Sequence, residues 1–283
     1  MANYRKILVA YDGSPTAKNA LAVGADLAKS DKSWIKVLAV VPVYEGDLSL
    51  FGVGNIKETI NGPGQELLAE AKNLAQEHGV HVFTNLEQGE PFERIVNVAE
   101  DENCDLIIMG RSGFTHLERE LMGGVTARVI GHTERNVLIV QENARLDWNN
   151  ILVATDGSPN SEAAVKHAIS VAKEYGSKLT AVSVAHTDEE MIALAPEHIK
   201  NLVDRSLQYL EDVKKRCQEA GITINTYVRE GEPHDQITKL ADEIGATLII
   251  MGTHGRKGIR RLLMGSATER TIGYANCPVM IIH

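Results

Sequence analysis

Four glycines and a serine are spaced so that backbone amides could gather around an anion. They are Gly252, Gly255, Gly258, Gly265 and Ser266, within Met251-Gly-Thr-His-Gly-Arg-Lys-Gly-Ile-Arg-Arg-Leu-Leu-Met-Gly-Ser266. The stretch follows Thr247-Leu-Ile-Ile-Met251, an apolar run with the look of a buried strand. It precedes Ala267-Thr-Glu-Arg-Thr-Ile-Gly273, the opening of a helix with Ser266 near its cap. Glycine permits positive φ and close approach of the backbone to a ligand. The free N–H groups at a helix start, with the dipole behind them, favour negative charge. Arg256, Lys257, Arg260 and Arg261 add cations to the same loop. A solvated basic loop is the competing reading of this stretch taken alone.

Two carboxylates are candidates to face such a cradle. Asp12 and Asp156 each follow a strand-like Ile-Leu-Val-Ala run and each begins Asp-Gly-Ser-Pro. A carboxylate opposite phosphates suits a ribose hydroxyl or a divalent cation. It could instead only start an Asx-turn. Other chemistries are not signalled. There is no GxxxxGK[ST], no GxGxxG after the first strand, no HExxH, no GxSxG and no close His/Cys/Asp cluster. The ten histidines are scattered, and His254 alone lies in the glycine loop. No catalytic residue is assigned, and a metal site is left undecided.

The elements that must position these residues occur twice. Lys6-Ile-Leu-Val-Ala-Tyr-Asp-Gly-Ser-Pro15 returns as Asn150-Ile-Leu-Val-Ala-Thr-Asp-Gly-Ser-Pro159. Gly89-Glu-Pro91 returns as Gly231-Glu-Pro233, and Leu106-Ile-Ile-Met-Gly110 as Leu248-Ile-Ile-Met-Gly252. A repeat this long is a duplicated domain. The expected domains are 1–143 and 149–283, divided in the polar stretch Glu142–Asn149. The first half shows strands at Ile7–Tyr11, Ile35–Val41, Val80–Leu86, Asp105–Met109 and Asn136–Val140. Its helices fall at Ala17–Lys29, Ile56–His78, Pro91–Asp101 and Val125–His132. Pro42–Asn55 is expected as a loop, and Asn61-Gly-Pro-Gly64 is expected to bend or start the second helix. The second half repeats the order, with strands at Ile151–Thr155, Lys178–Ala185, Thr223–Arg229, Thr247–Met251 and Pro278–Ile282. Alternation of five strands with four helices predicts an α/β fold of two doubly wound domains, each a five-stranded parallel sheet flanked by helices. In such a sheet the ligand lies beyond the carboxyl ends of the strands, where the winding reverses.

Composition limits the partners. The formal net charge of −9 argues against nucleic acid or an anionic membrane as a partner. Three distant cysteines, Cys104, Cys217 and Cys277, suggest neither a disulfide framework nor a zinc site. With no signal-peptide pattern and no run long enough to span a bilayer, the expected location is the cytoplasm.

Gly-x2-Gly-x9-Gly-Ser after the fourth strand, with Asp-Gly-Ser after the first, closely resembles the ATP-binding subclass of the universal stress protein family. The resemblance covers the whole chain twice, as in tandem members. It implies an adenine nucleotide alpha hydrolase-like fold with strand order 3-2-1-4-5, and ATP, or AMP or ADP, with Mg²⁺ as a companion to be tested. By the resemblance, Asp156 and Gly252 lie by the ribose. Gly255, Gly265 and Ser266 hold the phosphates with the backbone of Ala267, and Val184 meets adenine through its backbone. The matching positions in the first half are Asp12, Val40, Gly110, Gly113, Gly123 and Gly124. There the pattern departs, because Gly124 replaces the hydroxyl residue. Glu118 and Glu120 also stand in a loop that is basic in the second half. The resemblance further implies an internal pseudo-dimer in which the terminal strands pair, and a homodimer of whole chains is left open. The leading function is an ATP-binding regulatory or stress-response protein. The alternatives are a slow Mg-dependent ATPase or nucleotidyl-transfer enzyme, and an assembly module with a vestigial nucleotide site.

Overall fold

The computed structural model describes residues 4–43, 56–111, 124–187, 195–255 and 264–283. Gly113, Gly123, Gly258, the loop acids Glu118 and Glu120, the four loop cations and most of Pro42–Asn55 lie outside them. The chain divides into two compact units, and the division falls between residues 143 and 144.

The first unit runs β1 (Lys6–Ala10), α1 (Pro15–Asp31), β2 (Trp34–Val41), α2 (Ile56–Glu77), β3 (Phe83–Gln88), α3 (Pro91–Asp101), β4 (Leu106–Gly110), α4 (Gly124–His132) and β5 (Asn136–Val140). The second runs β6 (Asn150–Ala154), α5 (Pro159–Tyr175), β7 (Lys178–Ala185), α6 (Pro196–Glu219), β8 (Ile224–Glu230), α7 (Pro233–Ile244), β9 (Leu248–Gly252), α8 (Ser266–Tyr274) and β10 (Val279–Ile282). Strand order within the first unit is β3-β2-β1-β4-β5, and within the second β8-β7-β6-β9-β10. This is the expected 3-2-1-4-5 order in each. All the pairings β1–β2, β1–β4, β2–β3, β6–β7, β6–β9 and β7–β8 are parallel.

The central strands are apolar without alternation because helices cover both faces of a parallel sheet. Ile7, Leu8 and Val9 of β1, Leu106–Met109 of β4 and the whole of β9 are buried. β8, at the edge of its unit, instead alternates between half-buried and exposed positions.

Each first helix starts by the same local device. Ser14 and Ser158 are N-caps in extended conformation, accepting from Ala17 N–H at 3.2 Å and Ser161 N–H at 3.3 Å. Pro15 and Pro159 occupy the first helical positions, where no N–H is needed. Gly13 and Gly157 before them have φ of +78° and +74°. A Cβ on Gly13 would stand 2.5 Å from Leu67 Cδ2 of α2, and on Gly157 2.3 Å from Tyr209 Cε1 of α6. The Asp-Gly-Ser turn therefore needs glycine both for its left-handed backbone and for room beneath the second helix.

The second helix does not start at its Gly-Pro-Gly stretch. α2 continues through Asn61-Gly-Pro-Gly64, with Pro63 inside it. Gly64 lies so close to the sheet that a Cβ would come within 2.4 Å of Leu86 Cδ1 and 2.9 Å of Val41 Cγ1. Packing on β2 and β3 outweighs a composition that is locally unfavourable to helix.

Candidate nucleotide-binding site

In the second unit the winding reverses at β6, which lies between β7 and β9. The turn after β6 therefore sits beside the loop after β9. Asp156 leads that turn, and its Oδ1 accepts from Ser158 N–H at 3.0 Å. This is the Asx-turn, and Asp12 makes the same one to Ser14 at 3.0 Å. The other carboxylate oxygen of Asp156 faces the glycine loop. This Oδ2 lies 2.6 Å from where a Cβ on Gly255 would stand. The carboxylate of one loop and the backbone of the other are thus in direct contact.

The glycine loop is pinned at both ends. Gly265 N–H donates to Thr253 O at 2.9 Å. The buried Thr268 hydroxyl, from the first turn of α8, donates to Gly252 O at 3.0 Å. These bonds hold the start of α8 against the end of β9. A Cβ on Gly265 would lie 3.3 Å from His254 Cα and 3.7 Å from Gly255 N. A Cβ on Gly252 would meet the Asn160 carbonyl carbon at 2.6 Å, so β9 and the start of α5 also touch through glycine. Weaker ties run from Ser158 Oγ and Asn160 Nδ2 to His254 O, each at 3.4 Å.

Ser266, at the first helical position, stands beside the cap of α8, which is Gly265, with φ −71° and ψ 140°. The need for glycine at the cap is therefore close approach and not positive φ. Ser266 is the first helical residue and exposed, and Ala267 is half-buried. Their N–H groups precede the first intrahelical bonds and face outward from the helix start.

Val184 reaches the same end of the sheet on the other side of β6. Ala154, the last residue of β6, pairs with Val182. Thr155 N–H donates to Val182 O at 2.9 Å, and Gly231 N–H to Ala185 O at 3.1 Å. Strand alternation then aims the Val184 peptide groups to the β6 side, just past the end of that strand. Val184 is half-buried there.

The first unit repeats part of this. Val40 is half-buried near the end of β2, and a Cβ on Gly110 would lie 2.6 Å from the Thr16 carbonyl carbon. Gly124 opens α4. Behind Asp12 the units diverge. Tyr11, buried where Thr155 stands in the second unit, donates its hydroxyl to Glu70 Oε2 at 2.9 Å, and Lys18 pairs with Glu70 at 2.6 Å. Hydrogen bonds from Lys18 and then Tyr11 hold the Glu70 carboxyl below its usual range, and burial pushes the Tyr11 hydroxyl up.

Sequence reasoning did not find Thr268 or Asn160, nor the tie from Ser158 to the glycine loop. The repeat did contain a signal for one: Thr126 and Thr268 follow Gly110 and Gly252 at the same distance, and both are buried. Burial pushes the Cys104 and Cys277 thiols up to about 11 and about 12, so neither is a ready nucleophile. Among the described residues no three His, Cys, Asp or Glu side chains are grouped to hold a metal ion. Among them, too, no helix is long and apolar enough to cross a membrane.

The universal stress protein family model matches residues 3–141 and again 147–283. The chain belongs to the universal stress protein family. Universal stress protein MJ0531 of Methanocaldococcus jannaschii is 37% identical over 140 residues, covering 48% of this chain and 82% of that protein. Universal stress protein YxiE of Bacillus subtilis is 33% identical over 149 residues, covering 48% of this chain and 99% of the relative. Each relative is thus similar to one half. A universal stress protein structure from Archaeoglobus fulgidus is similar along the whole chain. Its TM-score is 0.74 and its identity 22%, and 100% of this chain and 98% of that one are covered. At that identity the likeness shows the fold.

Proposed function

We propose that this universal stress protein binds ATP in its second unit as a regulatory ligand. The observation that carries the reading is the contact between Asp156 and Gly255, which joins the two loops at the winding reversal. Asp156 Oδ2 would take the ribose side, with Gly252 beside it. The N–H groups of Ser266 and Ala267, with Gly255 and Gly265, would take the phosphates, and the Ser266 hydroxyl adds a donor. The Val184 backbone would meet the adenine edge. A Mg²⁺ ion would enter with the phosphates. The tandem family match supports an internal pseudo-dimer of the two halves as part of the same proposal.

Mass spectrometry of the purified protein after denaturation tests this directly. An adenine nucleotide should copurify, and Asp156→Ala should remove it. A protein that is folded, carries none and gives no heat on titration with ATP would overturn the reading. Steady-state phosphate release lost in Asp156→Ala would move the assignment from ligand binding to ATP hydrolysis.

A further inference from the structure

The other end of each sheet, where the strands start, differs between the units. In the second, an open groove of about 290 Å³ is lined by Lys178, Thr180, Asn225, Tyr227 and Ile244 with their neighbours. The register explains why these residues share a face. Thr180 pairs with Asn225 and Val182 with Tyr227, and side chains two apart point the same way. Ile244, the last residue of α7, closes one side with an apolar wall.

The first unit fills the equivalent positions. Trp34 pairs with Lys6 as Lys178 pairs with Asn150, and Lys36 with Phe83 as Thr180 with Asn225. There Lys36 pairs with Glu102, just past α3, and Lys6 Nζ donates to Glu102 O at 2.8 Å. Trp34 stacks on Phe83 with ring centroids 5.2 Å apart and planes 12° from parallel. In the second unit isoleucine replaces the acid, and the cation has moved to Lys178. Among the described residues the Lys178 ammonium has no ion-pair partner, and the groove lining contains no carboxylate. Arg229, 5.7 Å from the Tyr227 ring, is already paired with Glu243 and adds no free charge.

We propose that this groove is a second binding site, for a small carboxylate with a short apolar body. A lining that holds the Lys178 ammonium together with the Asn225 amide and the Tyr227 hydroxyl matches a singly charged head with two acceptor oxygens. Ile244 and the Tyr227 ring match a body of a few carbons. The volume is at the lower end for small-molecule sites, roughly 300 Å³. An inorganic phosphate would find the cation and leave the apolar wall unused. The site is independent of the nucleotide proposal.

The test is an amide-resolved NMR titration of the full chain with butyrate, and in parallel with butyramide and with inorganic phosphate. Butyrate should shift the Lys178, Asn225 and Tyr227 amides saturably. Butyramide should leave them unmoved, and phosphate should bind more weakly than butyrate. Lys178→Gln, at an exposed position, should weaken butyrate by about tenfold or more, the scale of a lost charge-assisted contact. Ile244→Glu, which restores the first unit's acid, should do the same. The proposal is overturned by no saturable shift, by equal affinity in Lys178→Gln, or by phosphate binding as tightly as butyrate.

Discussion

Gly255 is the residue at which the site can be tested most sharply. An alanine there would place its Cβ 2.6 Å from Asp156 Oδ2, closer than such contacts occur, so the carboxylate must move. A displaced carboxylate would lose the ribose hydrogen bond proposed for it, and a hydrogen bond to a charged group contributes about 1.5–3 kcal/mol. Calorimetry should therefore show ATP affinity reduced between roughly tenfold and a hundredfold in Gly255→Ala, with the circular dichroism spectrum unchanged. Gly265→Ala should weaken binding in the same direction. The cause would be contact with the His254 backbone, since its φ of −71° suits alanine. An unchanged affinity in folded Gly255→Ala protein would detach Asp156 from the nucleotide.

At the scale of elements, α5 and α8 are held to the end of β9 by different means. Gly252 lets the α5 start approach as backbone against backbone, with the Asn160 carbonyl carbon 2.6 Å from a would-be Cβ. Gly252→Ala should therefore cost about 1–3 kcal/mol through overpacking. It should lower the melting temperature, unlike Gly255→Ala, whose colliding atom is the end of a side chain. α8 also meets α7 through a titratable side chain. His234 of α7 packs against Tyr274 of α8 at 5.5 Å between centroids. Burial, and then the Arg270 charge, holds its imidazole below the ordinary 6.5, against weaker pulls upward from Glu232 and Asp235. The unfolded chain then binds the proton more readily than the folded one, so stability is lost as pH falls below about 6.5. Thermal melts from pH 8 to pH 5.5 should show this loss. It should shrink in His234→Phe, which installs the residue found at the matching position of the first half, Phe92. A melting curve equally pH-dependent in that variant would rule out His234 as the source.

At the scale of the whole molecule the two halves should bind ATP unequally, the second more tightly. Ser266 offers a hydroxyl where Gly124 has none, and cations crowd the second loop where Glu118 and Glu120 stand in the first. Like charge near phosphate lowers affinity unless Mg²⁺ intervenes. Titrating ATP into Asp12→Ala and Asp156→Ala separately decides the direction. Loss of the tighter site in the Asp156 variant is expected, and its survival there with loss in the Asp12 variant would reverse the order. The units differ elsewhere as well, since Tyr11, Glu70 and Lys18 form a bonded set where the second half has Thr155.

Much of this was legible in the chain because the signals are short-range. Ser14-Pro15 and Ser158-Pro159 announce helix starts within a few residues, and Leu106-Ile-Ile-Met and Leu248-Ile-Ile-Met announce strands buried on both faces. Repetition of both made the duplication and the alternating fold plain. The glycine spacing named the loop, but not what each glycine is for. Gly255 clears the Asp156 carboxylate, Gly252 clears a helix start and Gly265 caps α8 without positive φ. Those roles depend on β6 lying between β7 and β9, a neighbour relation between residues far apart in sequence. The same holds for Pro63, whose local preference is overruled by the packing of Gly64 on β2 and β3. It holds too for the Lys178 groove, whose lining joins residues of β6, β7, β8 and the end of α7 that are far apart in sequence. Local propensity sets which elements form. Only burial of both sheet faces decides which loops meet, and so which side chains can share a ligand.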